Sequence, residues 1–450
     1  MVDPVEALLE QALARAPTPE AEAVYQAHDS ALTRFAASAV HQNVSEHDAT
    51  LRVRLVDGAR TGVASTNRLD DEGLRDVVAR ADAICRRAAV HPDPSPLPEP
   101  ASARVPAELG LAIATRDASP VLRAAGARAV IDAGRAAGLE VSGSFLTETN
   151  AIAVANSRGL RQSHRGTQAK LLTVMMGDDG RSGYAQATAS DVGDIDAAAV
   201  GEEAATRATA MAHPIDLEPG DYPVILDHYA VQVLLEYMAY DGFSAQALEE
   251  GRSFMQLGER VMGDAISIWD DGLDPSGLPS AIDYEGVPKR RVDLVTRGMA
   301  TGVVHDSATA RRAGVSSTGH GLPAPNPWGP LGWNLFMAGG STPRAQLASG
   351  IRRGVWVTRF HYLSTVHERR AIMTGMTRDG TFLIEDGQLT RPLRNLRFTQ
   401  AIPEAFSAVA AISRETRLVA AEYSGINARV PALRLDRFAF TGATASEGAG

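Results

Sequence analysis

Cysteine is nearly absent from this chain of 450 residues, which has only Cys85. A single cysteine excludes a disulfide bond within the chain. Cys85 lies in the helix-like stretch LRDVVARADAICRRAAV, where a buried, unreactive thiol is a more frequent state for a lone cysteine than a reactive one. The lack of disulfides agrees with a reducing compartment, so we expect a cytoplasmic protein.

Long hydrophobic segments are also absent. No run of about 18 apolar residues occurs, so the sequence predicts no membrane-spanning helix. Residues 1–16 predict an acidic amphipathic helix and lack the basic start and apolar centre of a signal sequence. We therefore expect no association with a membrane.

Basic residues are in the minority. The chain has 44 Lys and Arg against 54 Asp and Glu, which gives a formal net charge of -10. Because phosphate backbones are bound mainly by clustered Lys and Arg, this balance argues against a broad nucleic-acid-binding surface. The sequence also lacks a Walker-type loop, since GMATGVV has too few glycines for one. We expect neither nucleic acid nor nucleotide as a partner.

The length and the local patterns predict two domains of the α+β class. A chain of 450 residues exceeds what one hydrophobic core usually organises. Prolines and a glycine in residues 214–223 mark the predicted boundary between a domain at 1–213 and a domain at 214–450. We expect an N-terminal α/β sandwich-like domain and a C-terminal domain that is mainly an antiparallel β-sheet or barrel with helices.

Turn-forming residues divide the predicted strands of both domains. Thr149-Asn150 and Asp379-Gly380 each predict a turn between two strands. The predicted strands of the first domain include Leu139–Glu148, Ala151–Ser157, Gly159–Thr167 and Leu171–Gly177. Those of the second domain are Pro223–Leu226, Ala265–Trp269, Arg291–Thr296, Gly354–Phe360, Ala371–Met376 and Thr381–Glu385.

Several segments spread along the chain carry a family pattern. They are LTRFAASAVHQ (Leu32–Gln42), VRLVDGARTGVAST (Val53–Thr66), IAVANSRGL (Ile152–Leu160), GRSFMQLGERVMGDAISIWDDG (Gly251–Gly272), DYEGVPKRRVDLVTRGM (Asp283–Met299), SSTGHG (Ser316–Gly321) and TGMTRDGTFLIEDGQLTRPLRNLRFTQ (Thr374–Gln400). In this order and spacing, the sequence resembles the TldD/PmbA family over almost its whole length.

The resemblance implies a two-domain α+β fold that forms dimers around an enclosed cavity. In the best-known arrangement of the family, a TldD-type subunit pairs with a PmbA-type (TldE) subunit. The TldD-type subunit holds zinc with a His-Glu-x-x-x-His helix and a cysteine near its C-terminus, and the pair cleaves unfolded or leader peptides. The resemblance therefore implies a peptide substrate and, as partner, a TldD-type subunit or a second copy of this chain.

The segment LLEYMAYDGF (Leu234–Phe243) stands at the position of the family's zinc helix. By this match, Glu236 occupies the first ligand position, Tyr237 the general-base position and Asp241 the second ligand position. Zinc hydrolysis needs imidazole or thiolate ligands and a carboxylate that accepts a proton from bound water, which tyrosine does not do near neutral pH. Since Cys85 lies in the other domain, we expect no metal, cofactor or catalytic residue in this chain, with zinc in the partner.

Two other segments carry candidate substrate-binding residues. VTRFHYLSTV predicts a strand whose alternation places His361 and Tyr362 on opposite faces, with His361 in a cross-strand contact or facing the dimer cavity. Residues Ser316–Thr342 predict a long ordered loop near the cavity, in which no Ser or Thr belongs to a recognisable His-Asp constellation. The candidates are Ser316, Thr318, His320, Trp328, Trp333, Asn334, His361 and Tyr362.

The sequence thus predicts a non-catalytic PmbA-type subunit that supports a TldD-type zinc peptidase acting on unfolded, leader or small peptide-like substrates. Two alternatives stay open. The first is a self-sufficient homodimeric hydrolase with a different site, such as His361 with a carboxylate. The second is a non-enzymatic binding or regulatory protein, such as a regulator of DNA gyrase.

Overall fold

The chain folds around two β-sheets. A computed structural model describes residues 4–94, 96–100 and 105–443, so the first three residues of the predicted N-terminal helix lie outside the described residues. The strands are β1 (Glu20–Ala36), β2 (Ala39–Asp57), β3 (Arg60–Thr66), β4 (Glu140–Asn156), β5 (Arg161–Met176), β6 (Ser182–Ala189), β7 (Gly220–Leu226), β8 (Ile268–Asp270), β9 (Val292–Thr296), β10 (Met299–Ala300), β11 (Asn334–Met337), β12 (Arg353–His367), β13 (Ile372–Glu385), β14 (Gln388–Pro392), β15 (Leu396–Ala401), β16 (Val409–Ala420) and β17 (Asn427–Ala443).

Helices connect these strands, and side chains cap the longer ones. The helices are α1 (Pro4–Ala14), α2 (Asp71–Arg87), α3 (Ile113–Arg116), α4 (Pro120–Ala136), α5 (Ala197–Ala210), α6 (His228–Asp241), α7 (Ala245–Glu249), α8 (Ser307–Ala313) and α9 (Ile402–Ser407). Asp70, Ser119 and Asp196 accept hydrogen bonds from backbone N–H groups at the starts of α2, α4 and α5. These caps satisfy N–H groups that have no partner within the helix.

The first sheet is antiparallel throughout, with six strands in the order β3-β2-β1-β4-β5-β6. Its strands are longer than predicted. Thr149 and Asn150 pair with β1 on one side and with β5 on the other, so the predicted turn at Thr149-Asn150 is wrong. Pairing on both sides satisfies the backbone groups of these residues and overrides their local preference for a turn.

The second sheet has 11 strands, is mainly antiparallel and closes on itself. The ring runs β7-β12-β13-β15-β17, because β17 pairs with β7 as well as with β15. The pairs β7 with β12 and β11 with β17 are parallel. Asp379 and Gly380 have φ values of 54° and 131° inside the continuous strand β13, so the turn predicted there is a distortion within a strand. The two sheets and their helices confirm the predicted α+β class.

Each sheet has its own apolar core. Alternate side chains of the first sheet, such as Val53 and Leu171, are buried beneath α2, α4 and α5. In the second unit, Leu234 and Met238 of α6 are buried with Phe398 of the strand ring. The helices thus cover one face of the first sheet, and its other face is directed toward the second unit.

A buried ion cluster centred on Asp227 joins the two units. Arg207 of α5 donates to Asp227 Oδ2 at 2.9 Å, and Arg344 donates to both carboxylate oxygens at 2.9 and 2.6 Å. Asp227 is fully buried and also accepts the backbone N–H of His228 at 3.0 Å, which caps α6. Burial alone raises its pKa, but His228 and the two arginines outweigh burial and hold the pKa of Asp227 well below its usual range.

No helix in the described residues is long and apolar enough to cross a membrane. The chain passes from the first sheet to the second between the end of β6 at Ala189 and the start of β7 at Gly220. The domain boundary at residues 213 and 214 stays a prediction.

Replacing Asp227 with asparagine should destabilise the fold strongly. The substitution leaves Arg207 and Arg344 facing a neutral amide, and breaking a buried ion pair typically costs about 3–5 kcal/mol. Urea unfolding would measure the loss. Asp221→Asn is the matched control, because Asp221 and its partner Arg437 are 45% and 74% exposed and their pair should contribute little. Equal losses in the two variants would contradict the assignment.

Candidate functional site

Helix α6 is held at both ends. It begins after Asp227, whose side chain accepts the N–H of His228. It ends at Asp241, and Gly242 follows, where a Cβ would lie 2.1 Å from the ring of Phe254, so the close packing of this ring requires glycine. Leu234, Leu235 and Met238 face the core, which leaves Glu236 and Tyr237 on the opposite side of the helix.

That side of α6 borders a cavity of about 440 Å³, called here the α6 cavity. Its wall includes Tyr184 and Gln186 of β6, Tyr229, Gln232, Glu236 and Tyr237 of α6, Arg359, His361 and Tyr362 of β12, and Glu422 and Tyr423 after β16. The cavity therefore lies between the first sheet and the second unit. A volume of this size is in the range of small-molecule and peptide side-chain sites.

Glu236 is the acid of α6 that faces this cavity. Its carboxylate accepts a hydrogen bond from Ser424 Oγ at 2.8 Å and another from Gln232 Nε2 at 3.1 Å. Burial raises the pKa of Glu236, and the two neutral donors lower it only in part. Glu236 is thus a half-buried carboxyl group whose negative charge is only weakly compensated by its neighbours.

The resemblance placed two more residues of α6, Tyr237 and Asp241, at zinc-helix positions, and both form hydrogen bonds to strand β12. The Tyr237 hydroxyl donates to the carbonyl of Leu363 at 2.7 Å. Asp241 accepts a hydrogen bond from Thr365 Oγ1 at 2.6 Å, and burial raises its pKa to about 6. Glu236 and Asp241 are five residues apart and bond to different strands and loops, so they do not converge on one point.

The donor set at these positions does not fit a zinc site. It consists of two carboxylates and a phenol, without the imidazole or thiolate ligands that hydrolytic zinc uses. The phenol of Tyr237 is also committed as a hydrogen-bond donor to a carbonyl. Among the residues that the structure describes, no group of three or more His, Cys, Asp or Glu side chains is arranged to hold a metal ion.

A network of ion pairs centred on Arg359 contributes to the wall of the α6 cavity. Arg359 donates to Asp379 at 2.6 Å and to Glu422 at 2.5 Å, and its guanidinium lies 4.1 Å from the centre of the Tyr184 ring. These contacts cross from β12 to β13, to the segment after β16 and to β6 of the first sheet. The network therefore ties the cavity wall together from both units.

His361 and Tyr362 line the same cavity, although alternation predicted opposite faces. Tyr362 has a φ of 50°, and the register of β12 with β13 shifts between His361 and Ser364. This bulge breaks the alternation and turns both side chains to one side. Burial and then the charges of Arg378 and Arg359 lower the pKa of His361. Tyr362 is 72% exposed at the cavity mouth.

The candidate substrate-binding residues of the long loop, Ser316–Thr342, do not all lie together in the structure. Thr318 and His320 are buried, with Thr318 Oγ1 2.9 Å from His320 Nδ1 and His320 Nε2 2.8 Å from Asp270. The expectation that no Thr of the loop contacts a His-Asp pair is therefore wrong. Thr318 Oγ1 already donates to the carbonyl of His305, and the whole row is closed to solvent, so these contacts stabilise the loop.

Asn334 continues this network, and Trp333 borders a different cavity. The Asn334 N–H donates to Asp270 at 2.9 Å, and the ammonium of Lys289 donates to Asn334 Oδ1 at 2.9 Å. Trp333 and Asn334 line a second cavity of about 440 Å³ between the first sheet and the second unit. Trp328 and Ser316 are exposed and border neither of these two cavities.

Several residues of the α6 cavity have no motif by which sequence reasoning finds them. Gln232 precedes Glu236 by one helical turn, which is the only local pattern among them. Tyr184, Glu422, Tyr423 and Ser424 come from distant segments and meet only in the folded chain.

Three family models match the chain in order. They are PmbA/TldA metallopeptidase domain 1 at residues 21–85, the PmbA/TldA metallopeptidase central domain at 100–212 and the PmbA/TldA metallopeptidase C-terminal domain at 219–442. The chain belongs to the TldD/PmbA family. The resemblance inferred from the sequence segments is thereby confirmed.

Relatives within the TldD/PmbA family include proteins of both types. A "Metalloprotease TldD homolog" of Haemophilus influenzae is 25% identical over 238 residues, which are 50% of this chain and 48% of that protein. "Metalloprotease PmbA" of Escherichia coli O157:H7 is 24% identical over 283 residues, which are 61% of this chain and 63% of that protein. The matched region thus spans about half to two thirds of these relatives.

Solved structures of the TldD/PmbA fold match nearly the whole chain. TldE from Thermococcus kodakarensis has a TM-score of 0.88 at 20% identity, with 97% of this chain and 100% of that chain covered. A Thermotoga maritima protein described as a candidate modulator of a DNA gyrase has a TM-score of 0.85 at 17% identity, with the same coverage. At these identities, the likeness shows the fold alone.

Asp241→Asn should stabilise the protein at alkaline pH. The rise of the Asp241 pKa from 3.8 to about 6 means that ionising the folded state costs more than ionising the unfolded state. This free-energy cost is absent below pH 3.8, grows as the pH rises from 3.8 to about 6, and is complete above about pH 6. It corresponds to about 3 kcal/mol, which solvent screening of a partly exposed group reduces to about 1–2 kcal/mol.

Urea unfolding at pH 4 and pH 8 would measure this effect. The variant should gain stability relative to the parent at pH 8 and little at pH 4, since its amide still accepts the Thr365 hydrogen bond. A loss of stability that is larger at pH 8 than at pH 4 would contradict this expectation and show that the charge of Asp241 stabilises the fold.

Proposed function

We propose that this chain is a PmbA-type subunit without its own hydrolytic centre, which shapes the substrate cavity of a TldD-type zinc metallopeptidase. The observation that carries the proposal is the composition of α6. Glu236, Tyr237 and Asp241 stand where the family's zinc helix has its ligands and base, and each is bonded to a different neighbour. The fold of TldE from Thermococcus kodakarensis supports the same assignment.

The α6 cavity is the part of this chain that we assign to the substrate. It is framed by strand β12 and by the segment after β16, and its wall carries aromatic rings, a carboxyl group and the Arg359 network. An extended peptide fits such a site, because strand edges bind main chains while pockets select side chains. The zinc and the general base come from the partner in this proposal.

A self-sufficient hydrolase is the second candidate function. The observation that favours it is the presence of Glu236 and His361 on one cavity wall. Burial raises the pKa of Glu236 toward the range in which acid–base catalysts work, and it lowers the pKa of His361, which favours the neutral imidazole that can accept a proton. The test of the first proposal also separates the two.

The purified chain should contain well under one zinc ion per chain and should not hydrolyse peptides by itself. When mixed with a TldD-type zinc peptidase from the same genome, it should increase peptide cleavage. Elemental analysis and a peptide-cleavage assay would measure this. Asp241→Asn in the saturated pair should keep kcat within about threefold, because the residue neither binds zinc nor polarises water in this proposal.

The contrary outcomes are distinct. One firmly bound zinc per chain would contradict the proposal directly. Hydrolysis by the zinc-free chain alone that is lost in His361→Ala would favour the self-sufficient hydrolase. No hydrolysis in any combination, together with retained peptide binding, would favour a binding or regulatory protein.

The chain should form a dimer with itself or with a TldD-type subunit. Trp328 is 75% exposed on the long loop, and large exposed aromatic side chains are frequent at subunit contacts. Light scattering should give a mass near twice 47.6 kDa for the self-associated chain. Trp328→Ser should weaken the dimer, whereas Val90→Ser, which changes another exposed apolar residue (63%), should not. A stable monomer that ignores a TldD-type partner would contradict this expectation.

A further inference from the structure

Glu236 differs from two buried acids of the second unit, Asp227 and Asp379, by forming no ion pair within the part of the chain that the structure describes. Asp227 is paired with Arg207 and Arg344, and Asp379 is paired with Arg359. Glu236 makes no ion pair with the described residues, and its two hydrogen-bond donors, Ser424 and Gln232, are neutral. A half-buried carboxylate without an ion pair is costly in free energy, so a cation bound beside Glu236 would stabilise it.

The carboxylate also has unused acceptor capacity. Each oxygen of Glu236 accepts one hydrogen bond, whereas a carboxylate offers about four acceptor positions. The charge of Lys170 on the first sheet lowers the pKa of Glu236 in part, but its ammonium forms no ion pair with Glu236 and donates to the carbonyl of Ala421 at 3.0 Å. The positions left open on Glu236 therefore remain available to a donor that enters the cavity.

Four of the tyrosine rings that line the cavity fall into two groups. The inner rings already contact guanidinium groups, with Arg359 4.1 Å from the centre of Tyr184 and Arg417 5.1 Å from that of Tyr229. The outer rings, Tyr362 and Tyr423, are 72% and 93% exposed. Ring faces attract cations and also stack on polypeptide, so the outer pair offers contacts that the inner pair has already used.

Tyr362 is presented at a conformational cost. Its φ of 50° lies in the left-handed region, which a bulky residue adopts rarely and at a cost of about 1–3 kcal/mol. The bulge places a large ring in solvent beside a cavity that contains an unpaired carboxyl group. Packing gains little from that position, which points to contact with a ligand.

We infer that the α6 cavity binds an organic cation of a peptide, an ammonium or guanidinium group, with Glu236 as its counter-ion and Tyr362 and Tyr423 against the adjoining chain. The inference rests on the proposed function and specifies the substrate class of that cavity. A lysine or arginine side chain and an N-terminal amine share this chemistry. An acidic ligand is disfavoured, because Arg359 is already bonded to Asp379 and Glu422.

Calorimetric titration of the full-length chain with short peptides tests the inference. The probes are pentapeptides of alanine with acetyl and amide ends and a central lysine, arginine, norleucine or glutamate. The lysine and arginine probes should bind at least about tenfold more tightly than the norleucine probe, which has similar length without charge. A norleucine peptide with a free amino terminus tests the terminal amine as the source of the cation.

Glu236→Gln should abolish the preference for the charged probes and leave the affinity for norleucine unchanged. Glutamine keeps the size of the side chain and one acceptor oxygen, so folding should persist, and the thermal unfolding midpoint checks this. Asp241→Asn is the matched control, because it removes an acid from the same helix that faces Thr365 instead of the cavity. Tyr362→Ala should weaken binding of all four probes.

Equal affinity for lysine and norleucine, or a lysine preference that survives Glu236→Gln, would overturn the inference. A preference for the free amino terminus over lysine would support it and identify the terminal amine as the ligand. These measurements need neither zinc nor cleavage. A chain that binds cations but fails to assist a TldD-type partner would therefore contradict the proposed function alone.

Discussion

The buried pairing of Asp227 with Arg207 and Arg344 is the constraint on which the rest of this structure depends. Asp227 ends β7, caps α6 and bonds to a helix of the first unit at the same time. A carboxylate with no solvent exposure is stable only while its cationic partners stay in place. The orientation of α6 relative to the first sheet therefore follows from this cluster, and the cavity between them follows from that orientation.

Helix α6 carries two acids, Glu236 and Asp241, that the fold supplies with neutral hydrogen-bond donors. Ser424 and Gln232 donate to Glu236, and Thr365 donates to Asp241. Burial still raises the pKa of both acids. The helix thus carries two acids with raised pKa values, and such groups are frequent at functional sites.

The segment that follows β16 links the two cavities. Glu422 and Tyr423 border the α6 cavity, while Gly425 and Asn427 border the cavity beneath the first sheet. The ammonium of Lys170 on β5 holds the segment through the carbonyl of Ala421. One short segment therefore forms part of the wall of both cavities.

The sequence by itself determined the family and the α+β class, because these depend on residue identity and order. Only the tertiary structure decided that Thr149-Asn150 continues a strand, since pairing with strands on both sides outweighs local turn preference. It also decided that Glu236 meets Ser424, which lies 188 residues away along the chain. Contacts at such separations leave no local pattern, because only the folding of the second unit brings α6 and the segment after β16 together.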